Sequence, residues 1–348
     1  MLQEITDKQG DSHAVEYQPS AQLTEELTHS HSGYSHDKEA KTSNPKWMEK
    51  IPDSTKVSQL SMPGTHDTMA FYGGDAVQCQ TMSLENQLES GVRVLDIRCR
   101  HIADVFAIHH GAFFQKTFFG DVLNIAIDFL QKNPSETVMM RVKEEYKPEN
   151  NTRTFEETFR DGYWNSYKKY CWQPSGTDNN PSLGELRGKI VILQNFSAAE
   201  TYGIEYDSFS IQDEYHLVTN WDLYSKWEEV KKQLAKANSG SSGVKYMNYL
   251  SGSGGSFPYF VASGHSSPGT NAPRLATGRT TPGWKNSWPD FPRVNCFLGI
   301  CTIAFEGTNI LTTNWIDSAY NNHVGIVMSD FPGPGLINNI IRLNDKLD

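Results

Sequence analysis

Between positions 56 and 330 the chain switches repeatedly between two hydrophobic periods, and no other feature restricts its fold as severely. Seven short runs rich in β-branched and large apolar residues read as strands: KVSQLSM (56–62), VRVLDI (92–97), VFAIHH (105–110), TVMMRVK (137–143), KIVILQNF (189–196), KYMNYL (245–250) and GIVMSD (325–330). A fainter eighth lies near 215–218. Stretches of helical period separate them: SLENQLES (83–90) closed by Gly91, DVLNIAIDFLQKN (121–133) stopped by Pro134, TFEETFRDGYWNSYKKY (154–170) and WDLYSKWEEVKKQLAKAN (221–238). Strands that are apolar almost throughout and alternate with helices belong to a parallel sheet buried on both faces. About eight such units in roughly 300 residues predict an α/β chain folded as an irregular (β/α)8 TIM-type barrel with mostly parallel strands. A doubly wound open sheet is the alternative.

The flanks differ in kind. Positions 1–44 contain no Phe or Trp, carry eight acids against three bases, and include the run THSHSGYSH. Too little apolar surface is present to offset ordering, so 1–44 is expected to be a disordered tail and 45–348 a single folded domain. Four histidines, His13, His29, His31 and His36, could make that tail a metal-binding tract, but a solvated tail is the simpler reading. The net charge of −10 opposes nucleic-acid binding, which depends on phosphate contacts. No run approaches the roughly 20 apolar residues of a bilayer span, and the first residues lack the basic-then-apolar pattern of a signal peptide, so a soluble chain is expected. Five cysteines cannot all pair within one chain; Cys79 with Cys99, or Cys296 with Cys301, are candidate disulfides, and no zinc spacing occurs.

Parallel α/β folds bind ligands beyond the C-terminal ends of their strands. There the chain collects its titratable groups: Pro63-Gly64-Thr65-His66-Asp67, Asp96-Ile97-Arg98, His109-His110-Gly111, Lys143-Glu144-Glu145 and Ser329-Asp330-Phe331. Any one has an ordinary explanation as a helix cap or a hydrogen-bonded histidine. Five strands delivering such groups to one rim describe an acid/base site with a cationic clamp. Two histidines can serve as base and acid on opposite sides of a reacting centre, and a guanidinium matches two phosphate oxygens. No GxSxG, Walker A or GxGxxG motif is present; GSGGS (252–256) reads as a loop. The residues alone lead to phosphodiester cleavage.

LSMPGTHDTM (60–69), GVRVLDIRCR (91–100), IHHG (108–111) and NPSETVMMRVKEEY (133–146) resemble the X domain of the phosphatidylinositol-specific phospholipase C family, in its single-domain, metal-independent bacterial form. The resemblance runs from about position 47 to the end and continues after 146 through short pieces such as QDEY (212–215) and SDF (329–331). It implies a barrel enzyme, a phosphoric diester lyase, that releases diacylglycerol and a 1,2-cyclic inositol phosphate. In that scheme His66 is the general base toward the inositol 2-hydroxyl and His110 the general acid toward the leaving oxygen. Asp330 orients His66, and Arg98, helped by Asp67, binds the phosphate. Lys143, Asp213 and Tyr215 would contact the inositol ring, with Asp96 as a supporting carboxylate.

The resemblance also bears on cofactors and partners. Calcium-dependent members place an acidic ligand where this chain has Arg98, so no metal or other cofactor is expected; a calcium site of Asp67, Asp96 and Glu145 would need Arg98 to swing away. Relatives carry an arginine toward the inositol hydroxyls on the strand matching KIVILQNF, where this chain has Asn195, which bears on head-group affinity. Unphosphorylated phosphatidylinositol, or the glycan-linked inositol of membrane anchors, is the implied substrate. Phe113, Phe114, Phe257 and Tyr259, with Phe118, Phe119 and Phe260 beside them, are expected to touch the membrane transiently, and Trp284 and Trp288 are weaker candidates. A secreted or extracellular monomer is expected, with a cytoplasmic location as the alternative. Competing readings are a metal-dependent glycerophosphodiester- or sphingomyelin-type phosphodiesterase and a non-catalytic inositide-binding barrel.

Overall fold

The computed structural model describes residues 31–318 and 322–348, together with the backbone of Leu2–Thr6 and Ser12–Glu16, which pair as an antiparallel ribbon. Its centre is a sheet of ten strands: β1 (Met62–Thr65), β2 (Val94–Ile102), β3 (Val105–His110), β4 (Phe113–Phe118), β5 (Val138–Glu144), β6 (Ile190–Asn195), β7 (Ile204–Glu205), β8 (Ser210–Gln212), β9 (Tyr246–Tyr249) and β10 (Ile326–Ser329). Eight run parallel in the order β8-β9-β10-β1-β2-β5-β6-β7, curling into a barrel whose two end strands, β8 and β7, are not paired with each other.

Three strand expectations need correction. VFAIHH is not a parallel barrel strand: β3 pairs antiparallel with the end of β2 and with β4, forming a hairpin on the barrel's rim. The weak strand near 215–218 is His216–Leu217, paired with Ser253–Gly254 outside the barrel. The barrel positions are filled instead by β7 and β8, two and three residues long, too short to show a period. KVSQLSM forms a single 3₁₀ turn at Val57–Gln59, and the strand begins only at Met62. Gly64 within β1 is required by its neighbours: a Cβ there would lie 2.3 Å from Met328 Sδ and 3.0 Å from Val94 O.

Helices α1 (Leu84–Ser90), α2 (Phe119–Lys132), α3 (Leu223–Ser239), α4 (Pro258–Ser263), α5 (Thr308–Asp317) and α6 (Pro334–Arg342) cover the outside. Gly91 ends α1 at φ 126°, a conformation that side chains resist. Along α2, Val122, Leu123, Ala126, Phe129 and Leu130 form one buried stripe against Leu95, Ile97 and Cys99, the outward face of β2. Stretch 154–170 is helical, with a π-helical turn at Thr158–Trp164.

Residues 31–44 belong to the folded unit rather than to a disordered tail. Tyr34 is buried, donates from its hydroxyl to Pro268 O at 2.7 Å and packs edge-on against Phe331; such burial stabilises the segment. The histidine tract is dispersed where it is described: His31 bonds Asn314 and His36 stacks on Phe331. His29 and the His13 side chain lie outside the described residues. Of the candidate disulfides, Cys296–Cys301 is formed, whereas Cys79 and Cys99 are buried free thiols. Among the described residues no helix is long and apolar enough to cross a membrane.

Candidate active site

Strand pleating assembles the site. Successive residues point to opposite faces, so Val94, Asp96 and Arg98 of β2 share the inner face, as do Met139, Arg141 and Lys143 of β5. The register aligns them in layers: Val94 with Met139 and Val191, Asp96 with Arg141 and Leu193, Arg98 with Lys143 and Asn195. The lowest layer is apolar. The middle layer sets Asp96 beside Arg141, and the top layer sets two cations, Arg98 and Lys143, side by side where the barrel opens.

Around that opening lies a cavity of about 320 Å³, lined by His66, Arg98, His110, Arg141, Lys143, Glu145, Asp213, Tyr215 and Asp330, with Cys79, Gly111, Ser251, Gly252, Ser253 and Pro258 completing the wall. His66 Nδ1 lies 2.8 Å from Asp330 Oδ1. Burial alone would lower the imidazole pKa; the charge and hydrogen bond of Asp330 outweigh it and hold His66 above the ordinary range. With Nδ1 engaged, Nε2 is the ring atom left to accept a proton. His110 Nδ1 lies 3.2 Å from Asp67 Oδ2, so the second imidazole also has a carboxylate behind it. Its neighbour His109 is buried, bonds Gly111 O and stacks with Tyr146, and does not line the cavity.

Arg98 ties these elements together. It donates to Asp96 Oδ2 from Nε at 3.2 Å and Nη2 at 3.1 Å, reaches Glu145 at 3.4 Å, and lies 3.9 Å from Asp67. Burial opposes its charge, but Asp96, Asp67 and Glu145 raise its pKa further above the usual value. The three carboxylates of the calcium alternative therefore all turn on one guanidinium. Asp96 is inaccessible and does not line the cavity; burial would raise its pKa, yet Arg98 and Arg141 hold it far below the carboxylate range. Asp67 behaves oppositely, because burial pushes its carboxyl up against the pull of Arg98 and His110. Its backbone sits at φ 42° with the amide donating to Asp96 Oδ2 at 2.9 Å, so Asp96 also fixes the turn that carries His66 and Asp67. Among the described residues, two groups have metal-ligating proximity: His66, Cys79 and Asp330, and Asp67, Cys79 and His110.

Arg141 is a cavity-lining residue that sequence reasoning missed. It lines the cavity floor, lies over the Tyr206 ring at 4.2 Å, and donates to Asn195 Oδ1 at 3.0 Å and to Asp96 Oδ1 and the Tyr249 hydroxyl at 3.3 Å each. Asn195 lies outside the cavity wall and acts on it through Arg141. The signal was available: Arg141 stands two residues before Lys143 in a strand and so shares its face. Among the expected membrane contacts, Phe113, Phe114 and Phe257 are exposed, whereas Tyr259 is only 8% exposed and packs on Phe257. Its place within α4, whose residues Pro258–Ser263 are all buried, removes it from any outer surface.

A family model described as phosphatidylinositol-specific phospholipase C, X domain, matches residues 60–196. A 1-phosphatidylinositol phosphodiesterase of Staphylococcus aureus (strain Newman) is 33% identical over 289 residues, which are 73% of this chain and 90% of that protein. The Listeria monocytogenes protein of the same name is 33% identical over 225 residues, 59% of this chain and 67% of its own length. Among solved structures, the phosphatidylinositol-specific phospholipase C of L. monocytogenes superposes with a TM-score of 0.62 at 25% identity, over 87% of this chain and all of that one. An S. aureus structure concerned with modulation of the enzyme's membrane binding gives 0.63 at 26%, over 89% of this chain and all of that one.

Proposed function

The chain belongs to the phosphatidylinositol-specific phospholipase C family, and from that premise we propose that it cleaves phosphatidylinositol to diacylglycerol and a 1,2-cyclic inositol phosphate. One observation carries this reading: two imidazoles, each backed by its own carboxylate, face a single cavity that a fixed guanidinium also lines. His66 takes the proton of the inositol 2-hydroxyl, whose oxygen attacks phosphorus. His110 gives a proton to the departing diacylglycerol oxygen as its bond to phosphorus breaks. Water then opens the cyclic ester with the roles reversed. Asp330 stabilises the imidazolium of His66, and Asp67 holds the ring of His110. Arg98 meets the charge that builds on the phosphate oxygens from a site its carboxylates have already organised, so no step requires a metal.

Lys143, Asp213, Tyr215 and Arg141 surround the remaining space and are the proposed ring contacts. A cavity of about 320 Å³ suits a ring and its phosphate, with the acyl chains left outside. Lys143 is half-buried, and burial and Arg98 lower its pKa, whereas Asp213 and Tyr215 are exposed where the cavity opens to solvent. Phe113, Phe114 and Phe257 supply membrane contact to a monomer acting outside the cell, a location that the Cys296–Cys301 disulfide supports.

Turnover of phosphatidylinositol in detergent micelles by wild type and by His66→Ala, with vesicle binding measured alongside, tests the reading. Cleavage by wild type in excess EDTA, lost in the variant while vesicle binding persists, is the expected result. Vesicle binding with no wild-type turnover would make the chain a binding module.

A further inference from the structure

Three strands between α4 and α5, Ala276–Thr280, Arg293–Phe297 and Ile300–Ala304, form a separate antiparallel sheet. Its base is seated on the barrel's mouth. Phe305 packs edge-on against Phe260 of α4 and against Trp221, and the Thr308 hydroxyl donates to Leu250 O just after β9. The same strand end continues into Ser251, Gly252 and Ser253, which line the catalytic cavity. From this base the hairpin leaves the core: residues 295–300 are all exposed, with Phe297 at 64%, Leu298 at 85% and Ile300 at 48%.

Single exposed apolar residues are ordinary, but this group is not arranged like an accident of the surface. Phe297, Leu298 and Ile300 occupy the turn of a hairpin closed by Cys296–Cys301, which ties together the strand ends that present them to solvent. Leu298 sits at φ 48°, where glycine or asparagine is favoured and a leucine is strained. The folded chain gains nothing visible from that side chain, so its use lies in something it meets.

The surroundings define the partner's chemistry. Residues 276–304 carry Arg279, Lys285 and Arg293 against one acid, Asp290, in a chain whose net charge is −10. Asp290 is already engaged by Lys231, Trp227 Nε1 and the Tyr224 hydroxyl. Arg279 lies over Trp284 at 4.5 Å, Trp284 stacks on Trp288, and Trp288 meets Trp221, which shares a depression with Phe257 at the cavity's edge. Arg293 is spent on the carbonyls of Lys285, Ser287, Trp288 and Phe291, so an apolar tip, amphipathic tryptophans behind it and the remaining cations Arg279 and Lys285 beside them match the depth profile of an anionic bilayer surface.

We propose that the disulfide-closed tip Phe297-Leu298-Gly299-Ile300 inserts into anionic lipid bilayers and holds the catalytic mouth against them. This rests on the reading of the substrate as a membrane lipid. The test is sedimentation with phosphatidylcholine vesicles containing phosphatidylglycerol, an anionic lipid without inositol, alongside hydrolysis of soluble 1,2-cyclic inositol phosphate. Leu298→Glu/Ile300→Glu should lower vesicle partitioning by about tenfold or more for each side chain removed, with soluble turnover unchanged. Leu298→Trp, which keeps apolar bulk, should bind as wild type. Unchanged partitioning of the double variant, or a parallel loss of soluble turnover, would overturn the proposal. So would gel filtration showing a wild-type dimer that the double variant dissociates, since the tip would then seat a second copy. Tip-dependent partitioning in a protein that cleaves no inositol lipid would sink the enzyme reading and leave the tip's role standing.

Discussion

Replacing Arg141 with methionine separates head-group binding from bond cleavage. The substitution keeps an unbranched apolar stem and removes three hydrogen bonds, to Asn195, Asp96 and the Tyr249 hydroxyl, together with the stacking on Tyr206. Breaking a buried ion pair costs about 3–5 kcal/mol when it strands a charge. Here Asp96 keeps both bonds from Arg98, so the loss in stability should be nearer 2 kcal/mol, a fall of a few degrees in Tm. Each charge-assisted hydrogen bond to a ring hydroxyl contributes about 1.5–3 kcal/mol, and one lost corresponds to roughly a 10- to 100-fold rise in KM. Arg141 has no hydrogen bond to His66, His110 or Arg98, so kcat should change only a few-fold. Steady-state kinetics on a short-chain monomeric phosphatidylinositol, with inhibition by free inositol in parallel, reads both constants. An unchanged KM and unchanged inositol inhibition in a folded variant would refute the assignment, and so would a collapse of kcat at constant KM.

The remaining predictions concern the catalytic pair and the barrel wall. A general base works in its neutral form, and Asp330 holds the His66 pKa above the ordinary imidazole range. The acid limb of kcat/KM should therefore lie on the high side of a free histidine, and Asp330→Asn should move it to lower pH while slowing kcat by roughly 10²–10⁴-fold. A limb that stays in place would remove His66 from the base role. Gly64→Ala would put a methyl 2.3 Å from Met328 Sδ and 3.0 Å from Val94 O, so urea denaturation should show a loss of about 1–3 kcal/mol. Wild-type stability would mean that the wall between β1, β2 and β10 yields.

Much of this site was legible because it rests on one regular feature of parallel α/β folds. A parallel strand's C-terminal end faces the ligand, which placed His66, Arg98, Lys143 and Asp330 on one rim; that residues two apart share a face would have added Arg141. The departures share a physical origin in short or locally irregular backbone. β7 and β8 are too brief to carry a pattern, and VFAIHH is apolar enough for a barrel strand yet turns back at Gly111, φ 54°, into a hairpin. That hairpin still delivers His110 to the cavity despite the different strand partner. Asn195 drew notice as a missing arginine, whereas the cation it bonds comes from the neighbouring strand, a relation that only the β5–β6 register reveals. Tyr34 could not be foreseen from its polar surroundings, because the hydrophobic partners that bury it lie nearly 300 residues away.

The central claim is that this cavity makes a cyclic phosphodiester by intramolecular attack, with Arg98 in the role a metal would otherwise fill. ³¹P NMR of phosphatidylinositol in detergent micelles, followed over time with purified protein and excess EDTA, tests it most directly. The account predicts that the resonance of a cyclic inositol phosphate appears first and gives way later to the acyclic phosphate. Acyclic product alone, formed only once Ca²⁺ is restored, would contradict it.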